Sequence, residues 1–305
     1  MKHTENQSEP NQQKMTKDLL MNFIIAGAGY TGLRVAEELS KSDTCLVSRN
    51  FDQDIQFKIQ KINLDSNSNK IKTVDPFSVL YTIPPNKDQT LDLRLQNFVN
   101  SLNTKPTRFV YLSTSGVYGN RSGKLTDESV ETNPQTQRAK KRVEAEVFLE
   151  KWCDKNNIRL VILRVSGIYG PKRLGINRLN KNFTVISESE AKPGNRIHIS
   201  DLVSCCTSAL KKKNLSKIYN ISDGCHKSQT WFYKSVCEYS GINKPKEIKA
   251  SEAIKTWEVT RLSFMKESRR LDTARMNNEL INNLKYPDPR NGIIDSLKEE
   301  KYIIE

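Results

Sequence analysis

The sequence predicts an α/β protein, a doubly wound parallel sheet with helices on both faces and a smaller C-terminal lobe. Two observations carry that expectation. Short apolar runs of strand length alternate with amphipathic segments of about ten or more residues, which is the period of βαβ units and not of an antiparallel sandwich or barrel. A cluster of glycines follows the first apolar run directly and opens the first amphipathic segment.

Taken in order, residues 1–20 are rich in Gln, Asn, Lys and Glu without apolar periodicity and read as a disordered tail. The fold begins at Met21, and a start there would lose nothing the fold requires. FIIA is a buried strand. The helix after the glycine turn runs to about Lys41, with Leu33, Val35, Ala36 and Leu39 on its apolar face. CLVS is the second strand, ending at Arg49, and FKIQKINL the third. FSVLYTI is the fourth and stops at Pro84-Pro85, since consecutive prolines cannot continue a central strand. The helix TLDLRLQNFVNSL, the strand FVYLSTS, the long helix from Pro134 to Asn156 and the strand IRLVILRVS continue the alternation. Beyond Gly170-Pro171 the stretch from Lys172 to Asn195 is basic and partly irregular. SDLVSCCTSALKKK returns to helix, KIYNIS rejoins the sheet as a strand, and QTWFYKSVCEYS is a helix closed by Gly241. Three regions result: the tail 1–20, a dinucleotide-binding core 21–171, and a remainder 172–305 in which the rest of the core is interleaved with a small substrate lobe.

Composition narrows the function classes. The chain has 305 residues, 36% hydrophobic and 28% charged, the balance of a globular protein. No apolar run approaches the roughly 18 residues needed to span a bilayer, and the start lacks a signal-peptide pattern, so a cytoplasmic protein is expected. Six cysteines without C-x-x-C spacing and three scattered histidines argue against a metal site or a disulfide framework. The net charge of +14 invites a nucleic-acid partner. However, the basic groups at 138–142 and 211–213 are not interleaved with stacking aromatics, so the charge reads as a solvated surface that steers anionic ligands.

Gly27, Gly29 and Gly32 make the spacing G-x-G-x-x-G, here between a strand and a helix. The first glycine permits the turn, the second lets a pyrophosphate approach the backbone, and the third lets helix and sheet pack closely. With Tyr30 and Thr31 they form the candidate phosphate site at the helix start. An acid at the end of the second strand would accept the adenosine ribose hydroxyls. Arg49 stands there instead, which suits a 2′-phosphate and makes NADP the expected cofactor, with NAD the alternative; an ordinary exposed arginine is the competing reading. Asp65, after the third strand, is placed to reach the adenine edge or to be a plain loop acid. Pro84, Ser113 and Arg142 complete the candidate cofactor contacts, and Ser113, Thr114 and Ser115 bring hydroxyls to a strand end.

The segments GAGYTG, LSTSGVYG, Ala145-Glu146, LRVSGIYGP, RIHISDL, IYNISDG and YPDPRNGI, in this order over about 22–300, resemble the extended short-chain dehydrogenase/reductases of the NAD-dependent epimerase/dehydratase group. The resemblance implies a Rossmann core, bound NAD(P), a small-molecule substrate such as a nucleotide sugar, and often a homodimer. It also implies a Ser/Thr, Tyr, Lys catalytic centre with Y-x-x-x-K spacing. Thr114 matches the hydroxyl position, but counting back from Ala145-Glu146 the tyrosine falls on Arg138 and the lysine on Arg142. Arginine keeps its proton at any working pH, so Arg138 can hold an anion or polarise a carbonyl but cannot relay a proton. The chain therefore resembles an atypical branch that lacks the tyrosine. Tyr118 is a replacement candidate, as are Tyr169 and His198, each with a packing role as the alternative. Two functions stay open: an NADP(H)-linked oxidoreductase, epimerase or dehydratase of a small polar or anionic metabolite, and an inactive dinucleotide-sensing or partner-binding protein on the same fold.

Overall fold

The computed structural model describes residues 22–302 apart from 40–42, 50–56, 67–69, 87–91, 180 and 182. The tail 1–20, the start at Met21 and the helix end at Lys41 fall outside the described residues.

The strands of the main sheet are β1 (Asn22–Ala26), β2 (Thr44–Ser48), β3 (Lys58–Lys61), β4 (Phe77–Tyr81), β5 (Arg108–Thr114), β7 (Arg159–Val165) and β11 (Ile218–Ile221). Shorter strands are β6 (Leu125–Thr126), β8 (Gly167–Tyr169), β9 (Thr184–Ile186), β10 (Arg196–His198), β12 (Lys246–Ile248) and β13 (Arg270–Leu271). The helices are α1 (Tyr30–Glu38), α2 (Leu93–Ser101), α3 (Gln137–Lys155), α4 (Ile176–Leu179), α5 (Ile199–Lys211), α6 (Gln229–Ser240), α7 (Ala250–Thr256), α8 (Val259–Lys266) and α9 (Pro289–Glu299).

The seven-stranded sheet has the order β11-β7-β5-β4-β1-β2-β3, and every pairing in it is parallel. Alternation along each strand feeds two cores. Phe23 and Ile25 of β1 face one core with Val35 of α1 and Leu202 and Cys205 of α5, whereas Ile24 and Ala26 face the other with Leu95 and Phe98 of α2 and Leu149 of α3. This is the doubly wound α/β architecture read from the sequence. The strand order reverses between β1 and β4, and the crevice beyond the carboxyl ends there is where such sheets take ligands.

Local chemistry sets the helix ends. Asp92, Thr136 and Ser228 accept backbone amides at the starts of α2, α3 and α6, and Gly241 closes α6 in the left-handed region at φ 70°. Helix α1 ends at Glu38, with the Leu39 amide on the Val35 carbonyl. Strand β3 is shorter than the apolar text FKIQKINL. It is the sheet edge, and the Gln60 side chain covers that edge by bonding both backbone groups of Lys72, at 2.7 and 2.8 Å.

The stretch from Lys172 to Asn195 is more regular than its text. It contains α4 and β9, and β9 pairs in parallel with β12. Together with α6 and α9 these elements build a smaller lobe around Tyr169, Leu174, Phe232, Val236, Ile293 and Leu297. The β8–β10 and β6–β13 pairs join it to the sheet end. Among the described residues no helix is long and apolar enough to cross a membrane.

Candidate functional site

The glycine loop sits at the β1–β4 switch point. Gly27 has φ +106°, and a side chain there would also press on Thr82 Oγ1 at 2.5 Å. A Cβ on Gly32 would lie 1.9 Å from the Gly27 carbonyl oxygen, so this glycine sets how closely α1 packs on the loop. Gly29 differs: an added Cβ meets nothing within 4 Å. It is also the N-cap of α1, provides no side-chain cap, and is followed by no acid in the first turn. The amides of Tyr30, Thr31 and Gly32 therefore have no intrahelical acceptor at the positive end of the helix, beside the open space over Gly29. That is the geometry an anion needs.

Thr31 is buried in the helix face. The Tyr30 side chain turns away from the loop. Its hydroxyl donates to the Pro171 carbonyl at 2.9 Å, and its ring lies between the guanidinium groups of Arg34 (4.1 Å) and Arg173 (3.9 Å). The Tyr30 side chain thus ties the glycine loop to residues 170–173.

Beyond the ends of β2 and β3, Arg49 and Asp65 do meet, Nη1 to Oδ2 at 2.7 Å. Two residues missed by sequence reasoning join them. Arg94, in the first turn of α2, donates Nε to Oδ1 at 2.6 Å and Nη2 to Oδ2 at 3.1 Å, and Asn86 donates to Oδ1 at 3.2 Å. The arginines hold the Asp65 carboxyl far below the usual carboxylate range, with the Arg94 hydrogen bonds the largest cause. Pro84 is exposed in the non-regular segment after β4.

Thr114 ends β5 half-buried, and its Oγ1 accepts the Gly116 amide at 3.2 Å. Ser113 belongs to the scaffold instead. It is buried and donates to Glu146 Oε1 at 2.5 Å, and Glu146 is paired with Arg164 at 2.8 Å, both side chains nearly sealed from solvent. Tyr118 does not face the crevice. It is fully buried, its hydroxyl donates to Asn220 Oδ1 at 2.8 Å, and Arg164 lies 4.8 Å from its ring centre. Of the two roles expected for Tyr118, this burial and the engagement of its hydroxyl by Asn220 suit packing.

Arg138 is exposed at the start of α3, with Glu267 the opposite charge that acts on it. Arg142 lies one turn on and donates to the Tyr111 hydroxyl at 2.9 Å, while Lys141 between them is buried with Nζ on the Asn86 carbonyl at 2.6 Å. Arg138 is the more exposed of the two arginines. Tyr169 is buried against His198 and Phe232. His198 Nδ1 accepts the Ser200 amide at 3.2 Å and caps α5, which leaves the proton on Nε2, 3.2 Å from Ser296 Oγ. Burial holds its pKa down to about 4, so it is a neutral structural histidine.

Comparisons with known proteins bear on the fold and on one segment of the chain. The profile of the NAD dependent epimerase/dehydratase family matches residues 86–222. The human dTDP-D-glucose 4,6-dehydratase is 26% identical over 158 residues, covering 49% of this chain and 44% of that protein, so the chain matches less than half of the curated relative's length. Among solved structures, a conserved protein of unknown function from Silicibacter pomeroyi superposes with a TM-score of 0.74 at 22% identity, over 92% of this chain and 99% of that one. The UDP-glucuronic acid 4-epimerase from Bacillus cereus, solved in complex with NAD, superposes with a TM-score of 0.71 at 18% identity, over 93% and 100%. At these identities the structures report a shared fold. The family match thus covers less than half of the chain, and the superposition shows that the whole described chain shares its fold with these structures.

Proposed function

We propose that this chain binds NAD(P), prefers the 2′-phosphorylated form, and acts as an oxidoreductase of the epimerase/dehydratase type on a small polar or anionic, sugar-like metabolite. The observation that supports this most is the uncapped start of α1, with open space over Gly29 at the switch point of the sheet. The amides of residues 30–32 are the proposed pyrophosphate contacts, and Arg49 reaches the adenosine side. The relatives' printed substrates make nucleotide sugars the first class to try.

A bound nicotinamide supplies a centre that gives or takes hydride. This chain's own groups bind and orient around it. Thr114 Oγ1 accepts the Gly116 amide and so keeps its own proton to donate to a substrate oxygen. Arg138 offers an exposed positive charge to an oxygen or a phosphate but retains its proton. Glu146, Arg164 and Ser113 hold β5, α3 and β7 in register beneath them.

A second reading is a dinucleotide-sensing or partner-binding protein without turnover. It is favoured by the two arginines at 138 and 142 and by the burial of Tyr118. The test is a panel of nucleotide sugars and other hydroxy or keto metabolites with NADP+ and NAD+, followed by nicotinamide absorbance and by NMR of the products. Turnover that drops in Thr114→Ala and Arg138→Ala supports the enzyme. Tight dinucleotide binding with no product across the panel supports the sensor.

A further inference from the structure

We propose that Asp65 is a built-in counter-anion of a two-arginine site for the 2′-phosphate of an adenine dinucleotide, with Arg94 as its second specificity-determining cation. The proposal rests on the dinucleotide reading above and assigns Asp65 the opposite of its expected adenine-binding role.

Four segments converge on one carboxylate: Arg49 after β2, Asp65 after β3, Asn86 after β4 and Arg94 at the start of α2. Arg49 and Asp65 follow β2 and β3 on one side of β1, and Asn86 and Arg94 follow β4 on the other, so the cluster gathers segments from both sides of the switch point, past the carboxyl ends of the strands where such sheets take ligands. A carboxylate has about four lone-pair sites. Here each oxygen already accepts two side-chain donors, Arg94 Nε and Asn86 Nδ2 on Oδ1, Arg94 Nη2 and Arg49 Nη1 on Oδ2. None is left for an adenine amino group.

The charge balance is incomplete. Among the hydrogen-bonded groups two guanidiniums face one carboxylate, an excess of one positive charge; Asp92, at the start of α2, acts on Arg94 without a hydrogen bond to it and is shared with Arg142 and Lys141. A phosphate monoester carries about −1.5 to −2 near neutral pH and three acceptor oxygens, enough to engage both arginines. The cluster is also open to solvent: the side chains of Arg49, Asp65 and Arg94 are 57%, 33% and 23% exposed. Arg49 is the arm free to swing, and the bidentate Arg94 is the fixed wall. Asp65 stays ionised, so it steadies the two like charges when the site is empty of phosphate and competes with phosphate when one arrives.

The experiment is calorimetric titration of adenosine 5′-monophosphate, adenosine 2′,5′-bisphosphate, NADH and NADPH into the wild type, Asp65→Asn and Arg94→Ala, with thermal unfolding as the folding control. Asp65→Asn should bind the 2′-phosphorylated ligands about tenfold more tightly and leave the others unchanged, and Arg94→Ala should weaken only the 2′-phosphorylated ligands by about tenfold. Equal weakening of 5′-monophosphate and 2′,5′-bisphosphate in Asp65→Asn overturns the proposal in favour of an adenine contact. NADH binding with no 2′-phosphate preference and no effect of Arg94→Ala overturns it while sparing the dinucleotide reading. Failure of both dinucleotides to bind removes the two together.

Discussion

Replacing Gly29 by alanine separates a phosphate site from a structural turn. Gly29 has φ −94° and ψ −166°, an extended backbone that alanine adopts freely, and its new methyl meets nothing within 4 Å. The fold should change by less than about 0.5 kcal/mol. A phosphate oxygen, by contrast, must come to about 2.9 Å from the first amides of α1, and the methyl stands in that approach. Losing one hydrogen bond to a charged group costs about 1.5–3 kcal/mol, so NADPH and NADH should bind about 10- to 140-fold more weakly. Gly32→Ala is the counterpart. Its methyl would lie 1.9 Å from a backbone oxygen, so α1 must move off the loop at a cost of about 1–3 kcal/mol or more in stability. Urea unfolding and calorimetry on the two variants read both quantities. A Gly29→Ala protein that binds either dinucleotide as the wild type does would refute the reasoning.

Three further perturbations test the surrounding scaffold. Glu146→Gln leaves the sealed Arg164 guanidinium without a counter-charge and should cost about 3–5 kcal/mol in urea unfolding, whereas a loss under about 1 kcal/mol would mean the pair is not structural. Tyr118→Phe orphans Asn220 Oδ1 and should cost about 1–3 kcal/mol without changing turnover; a large fall in kcat at unchanged stability would reinstate Tyr118 as a proton carrier. Burial pushes the Asp223 carboxyl up to about 7 from an ordinary value of 3.8. Between those values the native state holds a proton that the unfolded state has released, so stability falls as pH rises, by up to about 4 kcal/mol over the window. Asp223→Asn should remove that fall and gain on the wild type between about pH 4 and pH 7, and parallel pH profiles for the two proteins would show that Asp223 is not the group responsible.

What the sequence made legible was local. The strand, the glycine loop and α1 are contiguous, and the reasons for Gly27, Gly29 and Gly32 lie within a few residues of one another or on the neighbouring strand at Thr82. The alternation of apolar runs located all seven strands of the sheet, because the inner strands are buried on two faces by their own residues and the edge strand β3 still turns Ile59 to the core. Roles that depend on distant partners were not legible. Tyr118 reads as a crevice tyrosine until Asn220, 102 residues on, takes its hydroxyl. Arg94 reads as a helix-surface cation, because its partner Asp65 lies 29 residues back across a strand and a loop. The lobe was blurred for the same reason: β9 looks irregular alone and becomes a strand only against β12. Ser113 shows the limit of motif reading, since a hydroxyl at a strand end can equally serve a buried carboxylate one helix away.

The central claim is that the open start of α1 receives a dinucleotide. Its most direct test is calorimetric titration of the unmodified protein with NADPH, NADP+, NADH and NAD+. The account predicts one-to-one binding in the micromolar range, with the 2′-phosphorylated pair bound more tightly. Heats of dilution alone for all four would contradict it and leave the glycine loop as a packing device.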